Sequence, residues 1–69
     1  PEREVIQRIK ALHGQLLDTY RRVIPGESQQ LLKIRTFWDY LEPTIGRKPW
    51  KKIHKAGSMR NYLAAVDEL

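Results

Sequence analysis

The side chains best suited to bind a ligand form one cationic cluster in the second half of the chain. Residues 47–55 carry five basic groups and no acidic group, in a 69-residue sequence whose formal net charge is +5. Cations held this close repel one another unless an anionic partner neutralises them. A nucleic-acid backbone also gains by releasing its counterions. The cluster therefore predicts phosphate contacts, with a solvated lysine-rich helix face as the alternative; its members are Arg47, Lys48, Lys51, Lys52 and Lys55.

The segment that follows the cluster has the pattern of a helix-turn-helix motif. A short helix is predicted from Pro49 to Gly57, and a final helix begins after Ser58. Two helices joined by a turn of three or four residues that contains glycine are typical of this motif. Any helical bundle with a glycine turn gives the same pattern, so the motif stays one of two interpretations.

The predicted final helix offers two side chains that could contact DNA bases. Arg60 and Asn61 lie on its exposed side, where arginine can pair with guanine and asparagine with adenine in the major groove. Asp67 and Glu68 near the end of the same helix count against this interpretation, because carboxylates would approach phosphates there.

Trp50 lies among the lysines of the cluster and has two possible roles. We expect its ring to anchor the core while half buried, with the indole N–H toward water. The alternative is a stacking platform in a single-stranded nucleic-acid groove, where basic groups alternate with aromatic rings.

Catalytic and metal-binding chemistry is not predicted. Neither His13 nor His54 has a second histidine or a carboxylate three or four residues away, and we expect His13 at the edge of the apolar stripe of the first helix. Asp39 and Glu42 share a face at i, i+3, which we interpret as solvated. The chain has no cysteine and no glycine-rich phosphate loop. We therefore expect no enzyme activity, no cofactor, no metal and no small-molecule substrate.

The first half of the chain is predicted to form two long helices. Apolar residues recur at intervals of three and four from about Glu2 to Ile24, and Pro25-Gly26 ends this helix. Gly14 in its middle indicates a close helix contact or a bend. The second helix is predicted from Ser28, as N-cap, to Leu41, and the stripe of the first helix contains Val5, Ile9, Leu12, Leu16, Tyr20 and Val23.

Three local features complete the predicted fold. Trp38 is placed at the centre of the core. Residues 44–46 are predicted to form a turn, and Gly57 is expected to end the short helix with a positive φ. The sequence as a whole predicts an all-α fold: a small bundle of three main helices plus a short basic helix, in a single domain spanning residues 1–69. Because Pro1 stands where a Met would begin a protein, we expect a fragment of a longer chain.

Two functional hypotheses follow. The first is a nucleic-acid-binding domain, with duplex DNA as the expected ligand, that contacts phosphates through residues 47–55 and acts in the cytoplasm or nucleus. The alternative is a protein-interaction or oligomerisation bundle, since the first helix outreaches the second by roughly 13 Å at 1.5 Å per residue. An uncovered apolar stripe there would favour a homodimer or a partner helix. No membrane partner is expected, because the basic segment lacks the apolar face that membrane-surface helices have.

Overall fold

A computed structural model describes residues 2–69, and every element within that range is helical. The all-α fold class is thereby confirmed. The helices are more numerous than expected: five α-helices and one 3₁₀ turn, which are α1 (Glu2–Val23), α2 (Glu27–Arg35), the 3₁₀ turn (Thr36–Trp38), α3 (Glu42–Ile45), α4 (Arg47–Lys55) and α5 (Met59–Asp67). Within residues 2–69 none of these helices is long and apolar enough to cross a membrane.

The core lies where α1, α2, α4 and α5 meet. Trp38 has no exposed surface, which confirms its predicted central position. Three more large side chains are fully buried around it, and they come from three different helices: Ile34, Ile53 and Tyr62. Burying an aromatic or branched aliphatic side chain stabilises a fold by about 1.5–3 kcal/mol. These four residues therefore hold the short helices together.

His13 belongs to this core, and its predicted place at the edge of a stripe was wrong. Its side chain is 3% exposed, and its Nε2 lies 2.6 Å from the Tyr62 hydroxyl. The rings of Phe37 and Trp38 lie 5.6 and 5.3 Å away between centroids. A buried polar side chain needs a hydrogen-bond partner, and α5 supplies one that is 49 residues away in sequence.

The second helix begins and ends at other residues than predicted. Gly26, with φ +92°, is its N-cap, and the Gly26 carbonyl accepts from the Gln30 amide at 3.2 Å. Ser28 is already inside the helix, so the predicted serine cap was wrong. The α-helix ends at Arg35, before the predicted end at Leu41, and the chain then forms the 3₁₀ turn. At the start of that turn the Thr36 hydroxyl donates to the Lys33 carbonyl.

Three glycine predictions are also corrected. A Cβ added to Gly14 would meet nothing within 4 Å, so no close helix contact requires this glycine. Residues 44–46, predicted as a turn, include the end of α3, and Gly46 turns the chain from α3 into α4 with φ +95°. Gly57 does not adopt a positive φ. The chain leaves α4 instead through Ala56 in an extended conformation, with φ −60° and ψ 123°.

Candidate nucleic-acid interface

Helix α4 presents the whole cationic cluster on one side. The helix starts at Arg47, two residues before the predicted start, because the Gly46 carbonyl accepts from the Trp50 amide at 3.1 Å. Its Ile53 is fully buried. At about 100° per residue, the five cations lie within an arc of roughly 140° whose middle is nearly opposite Ile53. All five are exposed.

The C-terminal end of α4 is held by an arginine that sequence reasoning missed. One guanidinium nitrogen of Arg35, Nη1, donates to the His54 carbonyl at 2.9 Å and to the Ala56 carbonyl at 3.5 Å. The last carbonyls of a helix have no partner within the helix, and a cation near them also interacts favourably with the helix dipole. Arg35 therefore fixes the direction in which α4 presents its lysines.

Helix α5 follows after a three-residue turn, residues 56–58. The Ser58 hydroxyl accepts from the Asn61 amide at 3.2 Å, which confirms the predicted N-cap. Tyr62 and Val66 are buried against the core, whereas Arg60 and Asn61 are exposed, as predicted. The chain therefore has two nine-residue helices joined by a short turn that contains glycine.

A groove of about 510 Å³ runs between α4 and α5. Beside it lies a second hollow of about 280 Å³, which extends the groove along α5 and includes Asn61 and Ala64. Arg47 and Arg60 are exposed outside these two linings. The structure thus brings four predicted lysines and Asn61 to one groove, whose main part is lined by Lys48, Pro49, Lys51, Lys52, Lys55, Ala65 and Glu68.

One carboxylate neutralises part of the groove. The Lys52 ammonium donates to both carboxylate oxygens of Glu68, at 2.7 and 2.9 Å, and both side chains are more than half exposed. Within the described part of the chain this is the one ion pair that involves the cluster. An exposed pair of this kind contributes about 0–1 kcal/mol to stability. Breaking the contact between Lys52 and Glu68 therefore costs little.

The Trp50 ring packs inward, and its N–H does not face water as predicted. The indole nitrogen donates to the Trp38 carbonyl at 2.8 Å. The half-buried ring also contacts His54, with centroids 4.1 Å apart. A ring fixed in this way anchors α4 to the core, which favours the core role over the stacking role.

The other titratable groups of residues 2–69 form no obvious reaction centre. Asp39 and Glu42 do not share a helix face as predicted, because Asp39 follows the 3₁₀ turn and Glu42 begins α3. The nearest carboxylate oxygen to His54 Nε2 in an ion pair is Asp39 Oδ1, 3.9 Å away. In the same described range no group of three or more histidine, cysteine, aspartate or glutamate side chains could hold a metal.

Comparison with known proteins adds no relative whose function could inform the groove. No family model, curated protein or solved structure that we compared matches this chain. Function has to be inferred from the geometry and charge of the groove itself.

Proposed function

We propose that this chain binds nucleic acid, with duplex DNA as the preferred form, through the α4–α5 groove. A single observation carries the proposal: five exposed cations lie within one arc of α4, and four of them line a groove that contains one acid. Lysine-rich surfaces of this kind attract phosphates and release the counterions around them. The protein concentrates its excess of positive charge in nine consecutive residues rather than spreading it over the surface.

Phosphates are the expected partners of the lysines. Lysine is a compact point charge on a flexible stem, which suits it to hold a backbone in place without reading its sequence. Lys48, Lys51 and Lys55 make no ion pair within the described residues. Lys52 would exchange Glu68 for a phosphate, and that exchange weakens binding relative to a groove without the acid.

Base contacts, where they occur, are assigned to α5. Asn61 lies in the extended part of the groove, next to Lys52 and Lys55, and Arg60 is exposed one residue before it. Ala64 has a small side chain that would let a base edge approach α5. A helix-turn-helix would place such residues in the major groove while the preceding helix contacts the backbone.

The experiment is a binding titration with a fluorescent duplex at two salt concentrations, followed by anisotropy. We compare the wild type with a Lys51/Lys52/Lys55→Ala variant and with an Arg3/Arg21/Lys33→Ala variant. Both variants lack three positive charges at exposed positions, but only the first lacks them in the groove. The groove variant should bind far more weakly, and its salt slope should fall by about one unit for each phosphate that it no longer binds.

Two outcomes contradict the proposal. Equal affinities for the two triple variants would show that overall charge, and not the groove, determines binding. Absence of wild-type binding at low salt to both the duplex and the single strand would contradict the proposal. A single-stranded oligonucleotide of the same length, titrated in parallel, decides whether the duplex is the preferred form.

Single substitutions separate sequence reading from phosphate binding. Arg60→Ala and Asn61→Ala should each weaken binding to a selected preferred site by about 1–3 kcal/mol and change binding to random duplex much less. Glu68→Gln should strengthen binding to every duplex, because it frees Lys52 and removes a negative charge. If Arg60→Ala and Asn61→Ala weaken binding to selected and random duplex equally, α5 does not read sequence and the groove acts only as a cationic surface.

The alternative function, protein interaction, is supported by a different region. Val5, Leu12 and Val23 on α1 are 45%, 59% and 68% exposed, so this helix offers apolar side chains that a partner could cover. A molecular mass in solution that rises with protein concentration would support this alternative. That result would neither support nor contradict nucleic-acid binding by the α4–α5 groove.

A further inference from the structure

His54 on α4 has a ring nitrogen that the fold buries without a partner. Its Nε2 is buried and makes no hydrogen bond within residues 2–69. A carboxylate oxygen, Asp39 Oδ1, lies 3.9 Å from Nε2, which is beyond hydrogen-bond distance. A buried polar atom without a partner destabilises a fold. We therefore expect a second state in which Nε2 is paired.

Asp39 can supply that partner by a small movement. It follows the 3₁₀ turn, and its side chain is 48% exposed, so packing does not fix the carboxylate. A hydrogen bond from a ring nitrogen to oxygen is about 2.7–3.2 Å long, so the carboxylate has to move by roughly 1 Å. The His54 side chain is itself 27% exposed, which lets the ring exchange a proton with water.

Three features around His54 act in favour of its charged, protonated form. The Asp39 carboxylate is an opposite charge within 4 Å. The Trp50 ring has its centroid 4.1 Å from that of His54, within the distance at which an aromatic ring attracts a cation. His54 also lies in the last turn of α4, where the helix dipole favours a positive charge.

The cations near His54 act against its protonation. Arg35 on α2 donates to the His54 carbonyl at 2.9 Å, and Lys51 and Lys55 are exposed neighbours on α4 that solvent screens. Helices α3 and α5 also pack against α4. Their charged and titratable side chains make no ion pair with His54 within residues 2–69; they are Glu42 on α3, and Arg60, Tyr62, Asp67 and Glu68 on α5.

We propose that His54 and Asp39 form a pH-operated clamp: when His54 takes up a proton, the Asp39 carboxylate closes on Nε2 and joins α4 to the segment after the 3₁₀ turn. This pair is called the α4 clamp below. Its closure neutralises a carboxylate beside the helix that carries the cationic cluster, so duplex binding should strengthen as the pH falls. That consequence rests on the proposed nucleic-acid function, whereas the clamp itself does not.

The first test is a double-mutant cycle of His54→Gln and Asp39→Asn, measured by urea denaturation at about pH 7.5 and about pH 5.5. Histidine ordinarily changes its charge between these values. Burial lowers the pKa of His13 to about 4, so His13 stays neutral in the folded chain at both. At the lower pH the two substitutions should be coupled about fivefold in the unfolding equilibrium constant, as expected for opposite charges about 4 Å apart in water. At the higher pH the coupling should disappear.

Glu42→Gln is the matched control for Asp39→Asn. It also removes an acid from an element next to α4, but Glu42 makes no ion pair with His54 within the described residues. Its coupling to His54→Gln should be absent at both pH values. The clamp is overturned if the Asp39 coupling is the same at the two pH values, or if Glu42 shows the same pH-dependent coupling. Circular dichroism confirms that the variants are folded.

The second test follows the ring protons of His54 by NMR between about pH 8 and pH 5. Asp39→Asn should move the midpoint of this titration down by about 0.7 pH unit, which is the same fivefold preference on a logarithmic scale. Glu42→Gln should leave the midpoint in place. An equal midpoint in the wild type and in Asp39→Asn would show that the carboxylate does not close on the ring, and would overturn the clamp.

The third test titrates a fluorescent duplex at the same two pH values and at low salt. Between the higher and the lower pH the wild type should gain about twofold more affinity than His54→Gln, the effect of one charge about 10 Å from a phosphate in water. Equal gains would overturn the link between the clamp and the groove. If neither protein binds duplex, the proposed nucleic-acid function fails, and the first two tests still decide the clamp.

Discussion

The core and the α4–α5 groove differ in whether their polar side chains have partners within the protein. In the core, the Tyr62 hydroxyl accepts from the Trp38 indole N–H at 2.7 Å and lies 2.6 Å from His13 Nε2. All three side chains are at most 3% exposed. In the α4–α5 groove, exposed lysines share a single carboxylate, and Lys52 holds it.

The two regions differ in how far their polar groups find partners within the protein. Burial lowers the pKa of His13 to about 4 and raises the pKa of Tyr62 to about 12, so both are neutral at pH 7. A neutral His13 can then accept a hydrogen bond from the Tyr62 hydroxyl while Tyr62 accepts one from Trp38, which leaves each of these atoms with a partner. The groove, by contrast, is lined by four lysines and one carboxylate, and only Lys52 is paired with that carboxylate. The core satisfies its own polar groups, whereas the groove carries the unpaired lysines on which the proposed binding of nucleic acid rests.

The substitution with the largest expected effect on stability removes the central ring of the core. Trp38→Ala should lower the free energy of unfolding by about 3–5 kcal/mol, the usual cost of truncating a buried aromatic residue. The total stability of a domain this small is of the same order. Urea denaturation followed by circular dichroism measures it, with Tyr40→Ala as control because Tyr40 is 93% exposed. An unchanged midpoint for Trp38→Ala would contradict the central role of this ring.

The second test uses pH. Above pH 6.5 His13 is neutral in both the folded and the unfolded chain, so its titration does not change the free energy of unfolding there. Between pH 6.5 and 4 the unfolded chain binds a proton that the folded chain does not, so stability falls. At 1.36 kcal/mol per pKa unit, the decrease levels off near about 3 kcal/mol below pH 4.

The matched variant is His13→Gln, which keeps a polar side chain but does not titrate. Denaturation midpoints of both proteins are measured from pH 7.5 to 3.5. All other titratable groups are the same in the two proteins, so the difference between the two curves reports the titration of His13. If the curves run parallel, burial does not hold His13 neutral and the contrast between core and groove is weaker than proposed.

The third test concerns Arg35, the side chain that ties the two regions together. Arg35→Ala should cost about 1.5–3 kcal/mol, the range for hydrogen bonds made by a charged group. It should also weaken duplex binding more than Arg60→Ala weakens binding to random duplex, because the end of α4 no longer has its support. Thermal denaturation and anisotropy together check this. A decrease in stability with unchanged binding would show that α4 keeps its position unaided.

The parts of this fold that were predicted correctly are those set by local pattern. Helical period determined the all-α class, the central place of Trp38 and the exposed cations of α4, and the Ser58 cap follows from a contact three residues away. The features that were missed depend on distant partners. His13 and Tyr62 are 49 residues apart, Arg35 and His54 are 19 apart, and Lys52 and Glu68 are 16 apart.

The smallest effects compare the two glycines that flank α4. Gly46 has φ +95° and ψ 152°, a region that side chains avoid, so Gly46→Ala should cost about 1–3 kcal/mol. Gly57 has no positive φ, and a Cβ there would meet nothing within 4 Å. Gly57→Ala should therefore change stability by no more than about 0.5 kcal/mol, as an ordinary surface substitution does. Although Gly57 lies in the turn between α4 and α5, an added Cβ meets no neighbour there, so this variant should also bind duplex like the wild type. A large destabilisation by Gly57→Ala would mean that the turn after α4 requires a glycine, as the turn before α4 does at Gly46.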